Sequence, residues 1–436
     1  MEWNYLTTNI PNKNQILFLE NNKLKRQRMS IKTTFLILMI MTGSGVINAQ
    51  KTFQVALDDL KNGSIKIEPE IPSDGKLPEG TVLKITAKPD KGYVLDAGYY
   101  SVKGIWGAMY HETMSSPFEV IINQDKHIGA SFIEESAVKH MNVTHNVVFA
   151  KPGVKTLKYD VYSPKGAKNI PCIIIIHGGG WMSNDEDVMR GMARELTQGG
   201  QYVVFSIDYR WQGKLDGDEK GNTMANIIED VFGAIAHIME HAKEYGGDAT
   251  RIAVTGDSAG GHLSAVAGTM TNKIGDGGFG KTPGVFEFMP TYMPKNKTIE
   301  QVKKEMTAAI QAAAPSYGVF SKELLNHYSE DPKADDTWKE AIAPLSNIPN
   351  ASEKEIPHYL TRGTQDALIK DEAVKTYVDA LVKAGQRVEY VQVDGAGHAF
   401  FDWKPDERTK ATFKKYGVYY CAEMKAFFNS LFYPED

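Results

Sequence analysis

The sequence predicts an α/β fold, a doubly wound and mostly parallel sheet with flanking helices, preceded by a small all-β module. Three observations lead to this fold class. From about residue 140 onward, short apolar runs alternate with amphipathic stretches, and these stretches end at glycine. Residues 51–134 instead contain strand and turn signals without a convincing helix. The length of 436 residues suits about three domains, or two of which one is large.

Composition excludes several classes of protein. Lys and Arg total 49 and Asp and Glu total 54, a formal net charge of −5, whereas a nucleic-acid binder normally has a basic surplus. We therefore expect no nucleic-acid partner. Cys172 and Cys421 are too few for a disulfide scaffold or a four-cysteine zinc site. Both lie in apolar surroundings, which favours buried free thiols, although an oxidising compartment would permit them to pair.

Residues 1–49 are predicted to be a leader that contains a signal peptide. Basic residues from Lys23 to Lys32 precede the apolar run Phe35–Met41, and small residues then lead to Ala49. The apolar run is much shorter than the about 20 residues that span a bilayer. We expect an exported protein, secreted, periplasmic or at the cell surface, with no stable membrane span after cleavage. Residues 1–28 are either a long leader or precede a true start at Met29, and a buried amphipathic helix is the alternative interpretation.

Residues 51–134 are predicted to form a small β module. The segments 63–71 and 80–89 alternate apolar and polar residues, and glycine and proline punctuate them. The segment resembles a single unit of the bacterial surface repeats related to the internalin B-repeat. The resemblance rests on Gly80-Thr81-Val82, Gly92-Tyr93, Asp125-Lys126 and Ala130-Ser131-Phe132. Because that family usually occurs in tandem and one unit is visible here, an adhesive role is not expected, and we interpret the segment as a spacer or accessory module.

Residues 140–436 are predicted to form the catalytic domain. Two opening strands are expected at 147–150 and 157–163, and six further strands at 172–176, 202–207, 252–256, 310–318, 358–363 and 388–393. Several of these are continuous apolar runs, as is typical of parallel strands buried on both faces. Helix patterns at 189–200, 227–247 and 371–385 end at glycine. Because ligands of such sheets bind at the carboxyl ends of strands, we look for chemistry directly after each apolar run.

Ser258 is the candidate nucleophile. It stands between Gly256 and Gly260 in a G-x-S-x-G pattern that follows a strand and precedes a helix. This context is the one that a nucleophile elbow requires, because the glycines leave room for a sharp backbone turn that exposes the hydroxyl. A serine hydroxyl needs a base to accept its proton. The alternative is a glycine-rich turn in which Ser258 caps the helix.

A glycine run is the candidate oxyanion hole. Gly178–Gly180 follow His177 at the end of a strand, and backbones without side chains can turn their N–H groups toward a substrate oxygen. We predict that Gly178, Gly179 and Ala259 donate these N–H groups. His177 belongs to the same loop and is expected to hold it by hydrogen bonding. A simple glycine-rich turn is the alternative.

The base and its orienting acid are expected later in the chain, in the order Ser, acid, His. Asp366 and His398 each follow a predicted strand, so His398 would accept the proton of Ser258 while Asp366 orients the imidazole. Asp394 is a rival acid, but it lies in the same turn as His398. Asp371 is another, although its position at the start of a helix suggests a cap.

These motifs together resemble the α/β-hydrolase superfamily and, within it, the hormone-sensitive-lipase-like branch that includes bacterial feruloyl and acetyl esterases. The matching residues are His177-Gly178-Gly179-Gly180-Trp181, Asp208-Tyr209-Arg210, Gly256-Asp257-Ser258-Ala259-Gly260-Gly261, Asp366 and Gly397-His398. The resemblance implies an eight-stranded, mostly parallel sheet and hydrolysis through an acyl-enzyme, without a metal or cofactor. One departure is residues 211–226, which replace the usual proline-rich segment, so the alcohol side of the pocket is expected to be unusual.

Two other motifs match signatures that we interpret as coincidental. The H-x-x-E-H pattern of His237–His241 belongs to zinc proteases, but the apolar stripe of its helix predicts that both histidines lie on the solvated face. Gly275–Gly280 matches the dinucleotide fingerprint, yet it follows no apolar strand and Pro283 stands where a helix would continue. An apolar insertion at about 270–300 either covers the active site or packs on the rim of the sheet.

The sequence thus predicts an exported serine carboxylesterase. Its expected substrate is a small acyl or feruloyl ester of a carbohydrate or an aryl alcohol, which follows from the resemblance and from export. A serine peptidase or amidase on the same fold is the alternative within the enzymes. The alternative outside them is a non-catalytic surface-binding protein. The sequence does not indicate an oligomeric state.

Overall fold

The computed structural model describes residues 50–104, 107–328 and 336–434. The predicted signal peptide lies outside these residues. The chain divides into two units, residues 1–52 and 53–436. The second unit contains both the predicted β module, apart from its first residues, and the predicted catalytic domain.

The strands of the described residues alternate with α-helices only from β11 (Ile170–Ile176) onward. In order they are β1 (Thr52–Leu57), β2 (Gly63–Glu68), β3 (Lys76–Pro78), β4 (Val82–Pro89), β5 (Tyr93–Gly104), β6 (Gly107–Thr113), β7 (Phe118–Ile121), β8 (Lys126–Glu134), β9 (Met141–Ala150), β10 (Leu157–Pro164), β11 (Ile170–Ile176), β12 (Val203–Ile207), β13 (Gly247–Asp257), β14 (Ile310–Ser316), β15 (His358–Gly363) and β16 (Val388–Val393).

The α-helices of the described residues all follow β11. They are α1 (Arg190–Thr197), α2 (Met224–His241), α3 (Ala259–Thr269), α4 (Ile299–Ala309), α5 (Lys322–Tyr328), α6 (Asp336–Ile342), α7 (Asp371–Lys383), α8 (Glu407–Thr412) and α9 (Val418–Phe432). None of the helices that the structure describes has the length and apolar character needed to cross a membrane.

The large sheet has eight strands in the order β16-β15-β14-β13-β11-β12-β10-β9. The six strands from β16 to β12 pair in parallel, whereas β10 pairs antiparallel with both β12 and β9. The central strand β11 is buried along Pro171–Ile176, as its unbroken apolar sequence predicts. This mixed eight-stranded sheet with flanking helices confirms the predicted α/β class.

The N-terminal strands form two smaller sheets. One has the order β3-β1-β8-β5-β6 and the other the order β2-β4-β7. Alternate residues of β4, Leu83 and Ile85, are fully buried between the sheets, where they join Val120 and Ile128 in a separate core. The period-2 pattern therefore has a direct structural cause.

Buried charges join the β module to the α/β part. Asp96 of β5 accepts hydrogen bonds from Arg190 Nε at 3.1 Å, Arg194 Nη1 at 2.9 Å and Trp403 Nε1 at 2.9 Å. Glu112 of β6 lies 2.6 Å from Arg190 Nη2. We call these five residues the Asp96 cluster. Its ion pairs connect both strands of the β5–β6 hairpin to α1, and the Trp403 hydrogen bond connects β5 to the segment after β16.

Candidate active site

Ser258 lies at the sharp turn between β13 and α3. Its φ of 53° and ψ of −114° place it outside the common backbone regions. The turn requires glycine on either side of Ser258. A Cβ at Gly256 would lie 2.4 Å from the Ile176 carbonyl oxygen, and a Cβ at Gly260 would lie 1.9 Å from the same atom. The Ser258 side chain makes no capping hydrogen bond to the helix, so the alternative of a capping serine is wrong.

Three side chains from the carboxyl ends of three strands form one chain of hydrogen bonds. His398 Nε2 lies 2.8 Å from Ser258 Oγ, and His398 Nδ1 lies 2.8 Å from Asp366 Oδ2. The Asp366 side chain is fully buried, while that of His398 is 17% exposed. The imidazole therefore lies between a shielded carboxylate and a hydroxyl that faces a cavity.

The carboxylate of Asp366 is well supplied with donors. Its Oδ1 accepts the backbone N–H groups of Leu368 and Ile369 at 2.8 and 2.9 Å. Burial alone would raise the pKa of Asp366, but the hydrogen bond and charge of His398 and these two N–H groups hold it below the usual value. Asp366 thus favours the ionised form that a protonated imidazole needs beside it.

The two rival acids point elsewhere. Asp394 Oδ1 accepts a hydrogen bond from Thr364 Oγ1 at 3.3 Å. Asp371 accepts from the Tyr390 hydroxyl at 2.7 Å and pairs with Lys375 at 2.6 Å. Of the three candidate acids, Asp366 is the one that contacts His398.

The structure corrects one of the predicted oxyanion donors. The N–H of Gly178 donates to Asp257 Oδ1 at 2.7 Å, so it is not available to a substrate oxygen. Gly179, Gly180 and Ala259 instead line the cavity beside Ser258. Ala259 is the first residue of α3, where an N–H has no partner within the helix.

Residues of the His177–Trp181 motif after β11 and of the Asp208–Arg210 motif after β12 hold the glycine loop Gly178–Gly180 in place. His177 Nδ1 lies 2.7 Å from the Gly178 carbonyl oxygen, and the Tyr209 hydroxyl donates to the His177 carbonyl oxygen at 2.8 Å. The rings of Tyr209 and His177 stack with their centroids 4.1 Å apart. Asp208 Oδ1 lies 3.4 Å from His177 Nε2 and 2.6 Å from Lys155 Nζ.

Asp257 was not recognised from the sequence, although it lies directly before Ser258. It is buried, it anchors the Gly178 N–H, and its Oδ2 accepts from the Tyr317 hydroxyl at 3.3 Å. Burial and the charge of Asp402 raise the pKa of Asp257 to about 7. The G-x-S-x-G pattern leaves this position open, and membership of the Gly256–Gly261 motif was the signal that could have marked the residue.

A cavity of about 700 Å³ opens above Ser258 and His398. Trp211 and Leu215, from the segment that departs from the family pattern, line one part of it. Another part is lined by Lys103, Gly104, Gly107, Ala108 and Met109 of the β5–β6 hairpin. The β module, expected to be a spacer or accessory module, thus contributes residues to the lining of this cavity.

The insertion at 270–300 does not cover the site. None of its residues is among the described residues that line the cavity. It packs instead against α2, where the Thr291 N–H donates to the Glu229 carbonyl oxygen at 3.0 Å and Phe288 contacts Phe232. The covering hypothesis is therefore wrong. The segment is packed, as the alternative expected, but these contacts are with a helix rather than with the rim of the sheet.

The coincidental motifs have structural explanations. His237 of the H-x-x-E-H pattern is half-buried and lies 2.9 Å from the Tyr159 hydroxyl, so its predicted position on a solvated face is only partly correct. Burial lowers the pKa of His237 to about 4. Gly275–Gly280 form a loop in which Phe279 stacks on Phe288. Within the described ranges, no three His, Cys, Asp or Glu side chains are grouped to hold a metal ion.

The sheet order, the serine turn and the hydrogen-bonded Ser–His–Asp chain define an α/β-hydrolase. The family model BD-FAE matches residues 159–381, about half of the chain, and the chain belongs to that family. The match begins in β10 and ends in α7, so it includes the serine turn and Asp366 but not His398 or the β module.

Individual relatives agree with this assignment. Carboxylesterase NlhH of Mycobacterium tuberculosis is 35% identical over 144 residues, which are 32% of this chain and 41% of NlhH. Esterase LipC of the same organism is 26% identical over 282 residues, 61% of this chain and 62% of LipC. The chain therefore spans less than half of the first of these relatives. The structure of Thermogutta terrifontis esterase 2 phosphorylated by paraoxon has a TM-score of 0.50 at 22% identity, covering 68% of this chain and 96% of that one, which shows a shared fold.

Proposed function

We propose that the protein is a serine carboxylesterase that works through an acyl-enzyme. The observation that carries this proposal is the continuous hydrogen-bonded chain from Ser258 through His398 to Asp366, at 2.8 Å for each contact. Its similarity to a carboxylesterase and an esterase supports the proposal that the bond it cleaves is an ester bond.

Each of the three side chains has a role that its surroundings explain. His398 Nε2 takes the Ser258 proton as Oγ attacks the ester carbonyl carbon, and it then gives the proton to the departing alcohol. Asp366 holds Nδ1–H and stabilises the imidazolium in the meantime. Water, activated by the same imidazole, releases the acid from Ser258. The low exposure of Asp366 strengthens its interaction with the cation.

We assign the oxyanion hole to the backbone N–H groups of Gly179, Gly180 and Ala259. All three residues border the cavity next to Ser258, and Gly178 is excluded because Asp257 occupies its N–H. The Asp257 contact fixes the start of the loop, so the following amides are held in place before substrate arrives. One such donor is typically worth about 10²–10³ in kcat.

Hydrolysis of p-nitrophenyl acetate by the wild type and by Ser258→Ala tests the proposal. Loss of a triad nucleophile lowers kcat by on the order of 10⁶. Ser264→Ala is the matched control, because Ser264 lies in α3, the helix that follows Ser258, and its hydroxyl donates to the Gly261 carbonyl oxygen rather than to His398. We expect the control to retain activity. A rate that is the same in all three proteins, or absent from the wild type, would contradict an esterase function.

The substrate is proposed more narrowly as a small acyl or feruloyl ester of a carbohydrate or an aryl alcohol. Acetylated xylan, feruloyl esters and matched anilides separate the candidates. Faster cleavage of an anilide than of its ester would favour the peptidase or amidase alternative. No Ser258-dependent turnover of any of them would favour a surface-binding protein.

We also propose that the protein is exported, on the basis of the basic and apolar segments that precede Ala49. Cell fractionation of the expressed full chain, with N-terminal sequencing of the mature protein, tests this. Recovery of the uncleaved protein in the cytosol would contradict export.

A further inference from the structure

We propose that the β5–β6 hairpin of the β module is a specificity-determining part of the active site, and that it contacts a large apolar or aromatic group of the ester substrate. The inference rests on the proposed esterase function and deepens it. It assigns a role in substrate selection to a module that the family model does not include.

The first support is the shape of the cavity. The space of about 700 Å³ that contains Ser258 and His398 is bounded on one side by Lys103 and Met109 of the hairpin. The two strands are in register there, since Lys103 pairs with Ala108 and Val102 with Met109. Described residues of both paired strands, Lys103 of β5 and Ala108 and Met109 of β6, thus line the cavity that contains Ser258, rather than a single residue.

The second support is the way in which the hairpin is held. Asp96 on β5 and Glu112 on β6 both pair with Arg190 of α1 at 3.1 and 2.6 Å. Asp96 also accepts from Trp403, which lies in the same segment after β16 as His398. The Asp96 cluster therefore ties both strands to the element that bears the imidazole. A binding wall needs this kind of support if it is to select substrates by shape.

The third support is the chemistry of the lining. Besides Met109, the described residues that line the cavity include apolar and aromatic side chains from several loops. They are Met182, Trp211, Leu215, Val319, Leu368 and Ile369. Pockets for drug-sized ligands have volumes of about 300–1,000 Å³ and are mostly apolar, and this cavity is in that range. It is far larger than an acetyl group requires, so we infer that the preferred ester carries a bulky apolar or aromatic group.

Met109 is the residue to test. It is half-buried in β6, and Met114 is half-buried in the same module but does not line the cavity. Met109→Ala and Met114→Ala therefore remove the same atoms from comparable environments. One methylene in an apolar substrate pocket is worth about 10–200-fold in kcat/KM, so loss of the Met109 side chain is expected to exceed about tenfold for a substrate that touches it.

The experiment measures kcat/KM of the full-length protein in two substrate pairs. One pair varies the acyl group, p-nitrophenyl acetate against p-nitrophenyl 3-phenylpropionate, and the other varies the alcohol, methyl acetate against 2-naphthyl acetate. We expect Met109→Ala to lower the large-to-small ratio about tenfold or more in at least one pair, and Met109→Leu to restore most of it. Met114→Ala is expected to leave both ratios as in the wild type.

Three results would overturn the inference. They are a Met109→Ala ratio that equals that of the wild type in both pairs, a fall that Met114→Ala reproduces to the same extent, or a ratio that rises. Circular dichroism and melting temperatures of the variants verify that each is folded. Ser258→Ala, measured on the same substrates, keeps the two proposals apart. If turnover depends on Ser258 but the kcat/KM ratios of Met109→Ala are unchanged, the proposal for the hairpin is refuted and the esterase proposal stands. If turnover does not depend on Ser258, the esterase proposal is refuted.

Discussion

Removal of the Asp96 carboxylate tests the buried contact between the β module and the α/β part. In the Asp96→Ala variant, Arg190 and Arg194 lose the acceptor that lies 3.1 and 2.9 Å from their nitrogens, and Trp403 Nε1 loses its partner at 2.9 Å. Both arginine side chains are more than nine-tenths buried, so water cannot replace the missing oxygen atoms without a rearrangement. Glu112 continues to pair with Arg190 but not with Arg194.

The expected loss of stability is large. Breaking a buried ion pair by removing one partner costs about 3–5 kcal/mol, because it leaves an uncompensated charge. Since Asp96 serves two guanidinium groups, we expect the upper end of this range at pH 7. Burial alone would raise the pKa of Asp96, but Arg190 and Arg194 hold it well below its usual value of 3.8. The stabilisation is therefore present above pH 4 and is lost as the pH falls further.

Urea denaturation followed by circular dichroism measures this difference in the free energy of unfolding. Asp59→Ala is the matched control, because Asp59 is an exposed residue of the same module, and surface substitutions change stability by about 0.5 kcal/mol or less. A loss below about 1 kcal/mol for Asp96→Ala at pH 7 would refute our account. So would a difference between wild type and variant that grows as the pH is lowered below 4.

Three further substitutions test single contacts. Asp366→Asn is expected to lower kcat for p-nitrophenyl acetate by about 10⁴, because an amide does not hold His398 in the required tautomer, and a loss below tenfold would point to a different acid. Gly260→Ala would place a Cβ 1.9 Å from the Ile176 carbonyl oxygen, so thermal denaturation should show a loss of at least about 1–3 kcal/mol, and wild-type stability would contradict the turn geometry. Burial raises the pKa of Glu112 to about 7, because its effect outweighs that of the neighbouring Arg190. The folded state therefore binds the Glu112 proton more tightly than the unfolded state does, and the contribution of Glu112 to the free energy of unfolding falls as the pH rises from 5 to 8. The Glu112→Gln variant should therefore gain stability relative to the wild type as the pH rises over that interval. Free energies of unfolding that change in parallel with pH in the two proteins would contradict this pKa shift.

Most of the α/β sheet could be predicted from the sequence because its signals are local. The unbroken apolar run Ile173–Ile176 forms a strand that is buried on both faces, and the glycines around Ser258 are required by contacts within a few residues of the turn and by the adjacent strand β11. The residues selected at the strand ends, Asp366 and His398, lie within hydrogen-bond distance of one another in the structure. Their selection depended on the rule that parallel strands present their carboxyl ends at one edge.

Other features depend on contacts between distant parts of the chain. Gly178 was a reasonable oxyanion donor by its position in the glycine run, but its N–H is occupied by Asp257, which is 79 residues away. That contact follows from the register of β11 and β13, which pairs Ile176 with Gly256. The apolar content of residues 270–300 likewise predicted that the segment is packed, but not which surface it packs on.

The role of the β module is the clearest case of such long-range dependence. The strand periodicity of residues 51–134 and the change of pattern near residue 140 suggest two separable domains, yet residues 53–436 form one unit. The reason is electrostatic. Asp96 is an ordinary charged residue in its own strand, and its burial is favourable only because Arg190 and Arg194 are placed beside it by α1, almost 100 residues later. A chain cut between the two patterns would leave both arginines without Asp96 and would remove part of the lining of the cavity at Ser258, so the module and the α/β part have to be regarded as a single structural unit.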